Sequence, residues 1–150
     1  MSAAPGQYFA WSEWEESSTA ERLGLDNTAP ALARRAIAHL VKVVLDPLRE
    51  ALARPVRITS GFRSAAVNAA IKGSPTSQHM RGEAADIKID GMGAEAIARA
   101  IVDLNVEFDQ VIWYDPSRGG HVHVSCKAFG HNRRQTLWAP SGGGYVPWRR

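Results

Sequence analysis

At 150 residues, 45% hydrophobic and 22% charged, the chain has the make-up of one globular domain whose core is large enough to fold alone. It holds no run of about 18 apolar residues, which excludes a helical membrane span, and its single Cys126 excludes an internal disulfide. The net charge of +3 is mild, Arg133, Arg134, Arg149 and Arg150 fall in the C-terminal segment, and no basic helix or aromatic–basic sheet pattern accompanies them, so a nucleic-acid partner is not expected.

The N-terminal residues Met1 to Trp14 lack a basic start followed by an apolar stretch, so no secretory signal is expected there. Ser12 followed three positions later by Glu15 is a capping-box pattern and predicts a short helix from about Glu13 to Arg22, ended by Gly24. Phe9, Trp11 and Trp14 are expected to anchor it to the core. Asn27-Thr28-Ala29-Pro30 has the form of a helix start, with a capping side chain and a first-turn proline. Leu32, Ala36, Leu40, Val44 and Leu48 then recur at four-residue spacing, which predicts a long buried helix that Pro47 should kink or end early.

Val56 to Ser60 alternates and is expected to be a strand, broken by Gly61. Ser64 can cap a short helix over Ala65 to Ile71, and Gly73-Ser74-Pro75 marks a loop. A second strand is expected over Ala84 to Ile89, a helix over about Ala94 to Leu104, a third strand over Phe108 to Tyr114, and a hairpin return over His121 to Cys126. From about residue 127 the periodicity fades into a glycine- and proline-rich segment, expected to be an irregular tail. The sum is a single α+β domain over 1–150, with a small, mostly antiparallel sheet packed against helices.

The chemistry concentrates between Ser77 and Asp86. His79 and Asp86 stand seven positions apart with Gly82 between them, and His121 and His123 share one face of the last predicted strand. Two imidazole nitrogens and one carboxylate oxygen are a common donor set for a catalytic zinc, which polarises a carbonyl and suits amide hydrolysis. On spacing alone, a loop histidine, a strand-end aspartate and a surface histidine pair account for the same residues equally well.

Three stretches together resemble a known family. Ser60-Gly61-Phe62-Arg63-Ser64, then Ser77-x-His79-x-x-Gly82-x-Ala84-x-Asp86, then His123-Val124-Ser125 are similar to the M15 zinc peptidases. More narrowly they resemble the D-Ala-D-Ala carboxypeptidase-like group found in phage and prophage lysis cassettes. The resemblance runs from about Ser12 to Ser125 and implies the DD-peptidase/Hedgehog-like form of the α+β fold. It implies that His79, Asp86 and His123 bind Zn2+ and that Arg63 reaches the substrate carbonyl oxygen. It places Ser77 near the site, as a holder of the ligand loop or of the substrate, and gives Gly82 the turn between two ligands.

The substrate implied is a peptidoglycan stem peptide, cut as a carboxypeptidase or an endopeptidase at the cell wall once the protein is released; separately, a monomer is expected. The chain departs from the family at Gly120, where well-studied members carry the general-base carboxylate three residues before the last histidine. His121, Asp115 and Asp109 are the candidates to replace it, and Glu83 also lies close to the ligands in sequence. A non-catalytic, zinc-containing wall-binding module is the competing expectation.

Overall fold

The computed structural model describes residues 4–149. Six strands form one sheet in the order β1-β2-β4-β3-β5-β6: β1 Arg57–Ser60, β2 Ala84–Lys88, β3 Gln110–Tyr114, β4 Val122–Ser125, β5 Gln135–Ala139 and β6 Val146–Pro147. All neighbouring pairs are antiparallel except β3 with β5, so the expected mostly antiparallel α+β arrangement is what forms. The alternation works as strand periodicity requires. Ile87, Val111, Val122 and Val124 bury one side in the core, while Asp86 and His123 sit directly opposite each other on β2 and β4.

Helices close the apolar face. In α6, Ala94–Asp103, the period places Ile97, Ala98 and Ile101 inward. The long N-terminal helix is α3 Ala31–Leu40, a π turn over Val41–Leu45, and α4 Asp46–Leu52. Pro47 was expected to kink or stop it. The helix continues to Leu52 because the wider π turn precedes the proline, which sits in the first turn of α4, where its missing N–H is not needed. Leu32 was expected in the buried stripe, but it is 74% exposed and Ala33 takes the inward position.

Three other expectations are corrected at the N-terminal end. The single helix over 13–22 is two, α1 Trp11–Glu15 and α2 Ser18–Leu23, because Ser17 starts afresh by accepting the Ala20 N–H. The reciprocal cap is made by Glu13, which accepts the Ala10 N–H at 2.7 Å, while Glu15 instead accepts from Ala29 and pairs with Arg34. Asn27 does not cap α3. It is buried, donates to the carbonyls of Glu15 and Phe62, and accepts from Ser64 N–H, tying the N-terminal helices to the loop after β1. Trp14 and Phe9 are buried, as their aromatic surface suggests.

Ser64 caps α5, Ala65–Ala70, by accepting the Val67 N–H, as read from the sequence. The segment after residue 127, expected to be irregular, instead supplies two strands. β5 pairs in parallel with β3 and stacks Trp138 on Trp113, ring centroids 5.2 Å apart. Pro147 sits in the edge strand β6, where a missing donor costs no central pairing. Among the described residues no helix is long and apolar enough to cross a membrane.

Candidate metal centre

His79 lies on a short 3-10 turn, Gln78–Arg81, and is only 3% exposed. The turn begins at Ser77, whose hydroxyl accepts the His79 N–H, and closes at Gly82, which has a φ of +74°. A side chain at position 82 would place its Cβ 2.3 Å from the Ala33 carbonyl oxygen. Glycine is thus required twice, for the left-handed backbone and for the close approach of α3. The chain then enters β2 and presents Asp86 across from His123.

Three donor atoms converge there. His79 Nε2 lies 3.4 Å and His123 Nδ1 3.2 Å from Asp86 Oδ1, and one ligand atom from each residue falls within 4.8 Å of the others. The hydrogen-bonding arithmetic of His79 favours a cation in this group. Its Nδ1 lies 2.8 Å from the Gly61 carbonyl, which can only accept, so Nδ1 carries a proton, and in the neutral ring Nε2 is a bare lone pair. That lone pair faces a carboxylate oxygen. Two acceptors at this distance repel unless a proton or a metal ion lies between them, and the nitrogen–oxygen donor set suits zinc.

Burial pushes the Asp86 carboxyl up, but hydrogen bonds and charge from His123 and His79 outweigh it and hold the group well below the usual carboxylate range. The anion is thus ready to serve as a ligand.

Arg63 follows β1 by three residues and grips the same turn. Its backbone N–H donates to the His79 carbonyl at 3.1 Å, and its Nη2 donates to Ser77 Oγ at 3.0 Å. Its Nε is buried with no hydrogen-bond partner among the described residues. Burial lowers its pKa, partly offset by the Asp86 charge, yet a guanidinium keeps its proton at any working pH.

The residues considered for proton transfer separate clearly. His121 Nε2 comes within 3.9 Å of Asp86 Oδ2, and its ring stacks on Tyr114 with centroids 4.3 Å apart. Burial lowers its pKa, with Asp86 pulling the other way. Asp115 is not brought to the group. Its carboxylate accepts from the Ser117 N–H and hydroxyl, capping the turn between β3 and β4. Asp109 is wholly buried and saturated by the Arg133 backbone N–H, the Arg133 guanidinium and Gln78. Glu83 pairs with Arg81 at 3.0 Å.

The three metal-group residues, Arg63 and Ser77 line one cleft of about 580 Å³. Sequence reasoning missed Gln78, Tyr114, Lys127, Arg133 and Tyr145, which line it too. The last three follow His123, in a segment that offered no motif to read.

Two comparisons bear on this geometry. The chain is 32% identical over 97 residues to the zinc D-Ala-D-Ala carboxypeptidase of Streptomyces albus G, an alignment covering 63% of this chain and 37% of that protein. The chain therefore spans well under half the length of that curated relative. The family model described as Peptidase M15 matches residues 7–125, from before α1 to the end of β4, and so takes in every residue of the metal group. With its α+β fold and converging His79, Asp86 and His123, the chain belongs to the M15 peptidase family.

Proposed function

We propose that this chain is a zinc peptidase that hydrolyses a peptide bond in peptidoglycan stem peptides, as a D-Ala-D-Ala carboxypeptidase or as an endopeptidase of the phage or prophage lysis type. In this reading residues 1–150 are one metallopeptidase domain acting as a monomer on the cell wall. The single observation that carries it is the convergence of His79 Nε2, His123 Nδ1 and the Asp86 carboxylate, with His79 Nδ1 turned away to the Gly61 carbonyl.

His79, Asp86 and His123 would hold the metal. Zinc bound there supplies a Lewis acid that polarises the substrate carbonyl and raises the acidity of water. Arg63 orients the scissile carbonyl and donates to its oxygen as negative charge develops, from a guanidinium already fixed by Ser77. His121 takes a proton from the attacking water at Nε2 and returns it to the nitrogen of the departing amine, which balances the hydrolysis. Its position beside Asp86, with Gly120 lacking a carboxylate, supports that role over Asp115, whose carboxylate is spent on its own turn. Ser77 holds both the His79 turn and Arg63.

Purified peptidoglycan incubated with the chain, followed by mass spectrometry, tests the reading. Release of D-Ala or of stem-peptide fragments is expected, with loss of release and of bound zinc in His79→Ala. Bound zinc with no released peptide would sink the enzyme and favour a wall-binding module.

A further inference from the structure

Two cleft-lining cations, Lys127 and Arg133, lie beyond the residues matched by the family model. Both are organised by Asp109. Its carboxylate is 0% exposed and receives the Arg133 N–H at 2.9 Å, Arg133 Nε at 3.1 Å, Arg133 Nη2 at 2.7 Å and Gln78 Nε2 at 3.0 Å. Lys127 Nζ stands 3.9 Å from the same carboxylate, close enough for charge attraction but too far for a hydrogen bond.

The charges do not cancel. Two cations face one buried carboxylate whose lone pairs are already taken, and neither cation has another acidic partner among the described residues. Arg133 Nη1 and Lys127 Nζ make no hydrogen bond among those residues. The other cations of the cleft are engaged differently. Arg81 is neutralised by Glu83, and Arg63 is bound to Ser77 and feels the Asp86 charge.

Exposure orders the cleft by depth. The Arg133 and Lys127 side chains are 48% and 31% exposed, whereas His79 on the floor is 3% exposed. Lys127 and Arg133 thus line the same cleft as His79 but stand nearer the solvent.

We propose that Lys127 and Arg133 form an anion site at the mouth of the cleft, which takes a side-chain carboxylate of the peptide substrate. An ammonium beside a planar guanidinium, prefixed by a buried aspartate, offers charge-assisted donors with little ordering cost. The inference rests on the peptidase reading of the cleft and adds to it a preference for acidic peptides. Asp109 in turn acquires a positioning role, since its carboxylate holds the cations in place rather than moving a proton.

The test uses three peptides of one sequence: one with free side-chain and terminal carboxylates, one with the side-chain carboxylate amidated, one with the terminal carboxylate amidated. Binding to the metal-free chain is measured by calorimetry, and kcat/KM with the zinc-loaded chain. The variant is Lys127→Met, which leaves the Asp109–Arg133 clamp in place, with its melting temperature as a check on folding.

Amidating the side chain should weaken binding by about tenfold in the wild type, the range of a charge-assisted hydrogen bond. Lys127→Met should bring that ratio close to one, and Lys127→Arg should restore it. An unchanged ratio in Lys127→Met overturns the site, as does a preference that follows only the terminal carboxylate. The two readings fail separately. Discrimination in binding without cleavage of any peptide would leave the anion site standing and remove the peptidase. Cleavage of all three, with the same ratios in wild type and Lys127→Met, would do the reverse.

Discussion

Arg63 and His79 form one mechanical unit, because the backbone of the first holds the carbonyl of the second at 3.1 Å. The side chain of Arg63 does something separate: it reaches Ser77 and leaves a buried Nε with no partner in the cleft wall. Replacing it with alanine removes the guanidinium but keeps the N–H that steadies His79. Arg63→Ala should therefore retain its zinc while kcat falls by roughly 10²–10³, the usual cost of losing one donor to a developing oxyanion. Metal analysis beside steady-state kinetics checks both halves. Normal turnover would return Arg63 to a role in holding the turn.

At the scale of elements, Gly82 decides whether the His79 turn can meet β2. Gly82→Ala would force a side chain into a left-handed backbone and against the Ala33 carbonyl of α3. The left-handed residue alone costs roughly 1–2 kcal/mol, and the clash with helix backbone has no flexible neighbour to absorb it. A loss of more than about 2 kcal/mol in urea unfolding is expected, with weaker metal binding. A variant as stable as wild type would mean that α3 gives way there.

Much of this was legible in the sequence. The alternation in Ala84 to Lys88 and in Val122 to Ser125, and the helical period of α6, follow from local patterns that the sheet and helix simply obey. The π turn before Pro47 was not legible, since nothing local distinguishes Val41–Leu45 from ordinary helix. β5 was missed for another reason. Gln135 to Ala139 is short, and its partner β3 lies some 25 residues earlier in parallel register, a pairing that no hairpin signal announces. The site divides the same way. His79, Asp86 and His123 were readable by residue type and motif, whereas Lys127 and Arg133 matter only because Asp109 is buried beneath them.

For the molecule as a whole, Asp109 is the point where three parts meet: the approach to β3, the metal-group turn through Gln78, and the C-terminal segment through Arg133. Burial alone would raise its carboxyl pKa. Hydrogen bonds and charge from Arg133, with Gln78 adding to them, instead lower it to about 2. A carboxylate with a depressed folded pKa stabilises the fold above its unfolded value, near 3.9, and that contribution is lost as pH falls through the folded value. A shift of this size corresponds to roughly 2–3 kcal/mol, held at neutral pH and given up between about pH 4 and pH 2. Asp109→Asn removes this titration while keeping the shape of the side chain. The stability gap between wild type and Asp109→Asn, measured by urea unfolding of metal-free protein, should be widest above pH 5. It should narrow steadily toward pH 2 as the wild type loses the anion that binds its C-terminal strands to the cleft. A gap that stays constant across that range would show that Asp109 holds the segment by packing and hydrogen bonding alone, without help from its charge.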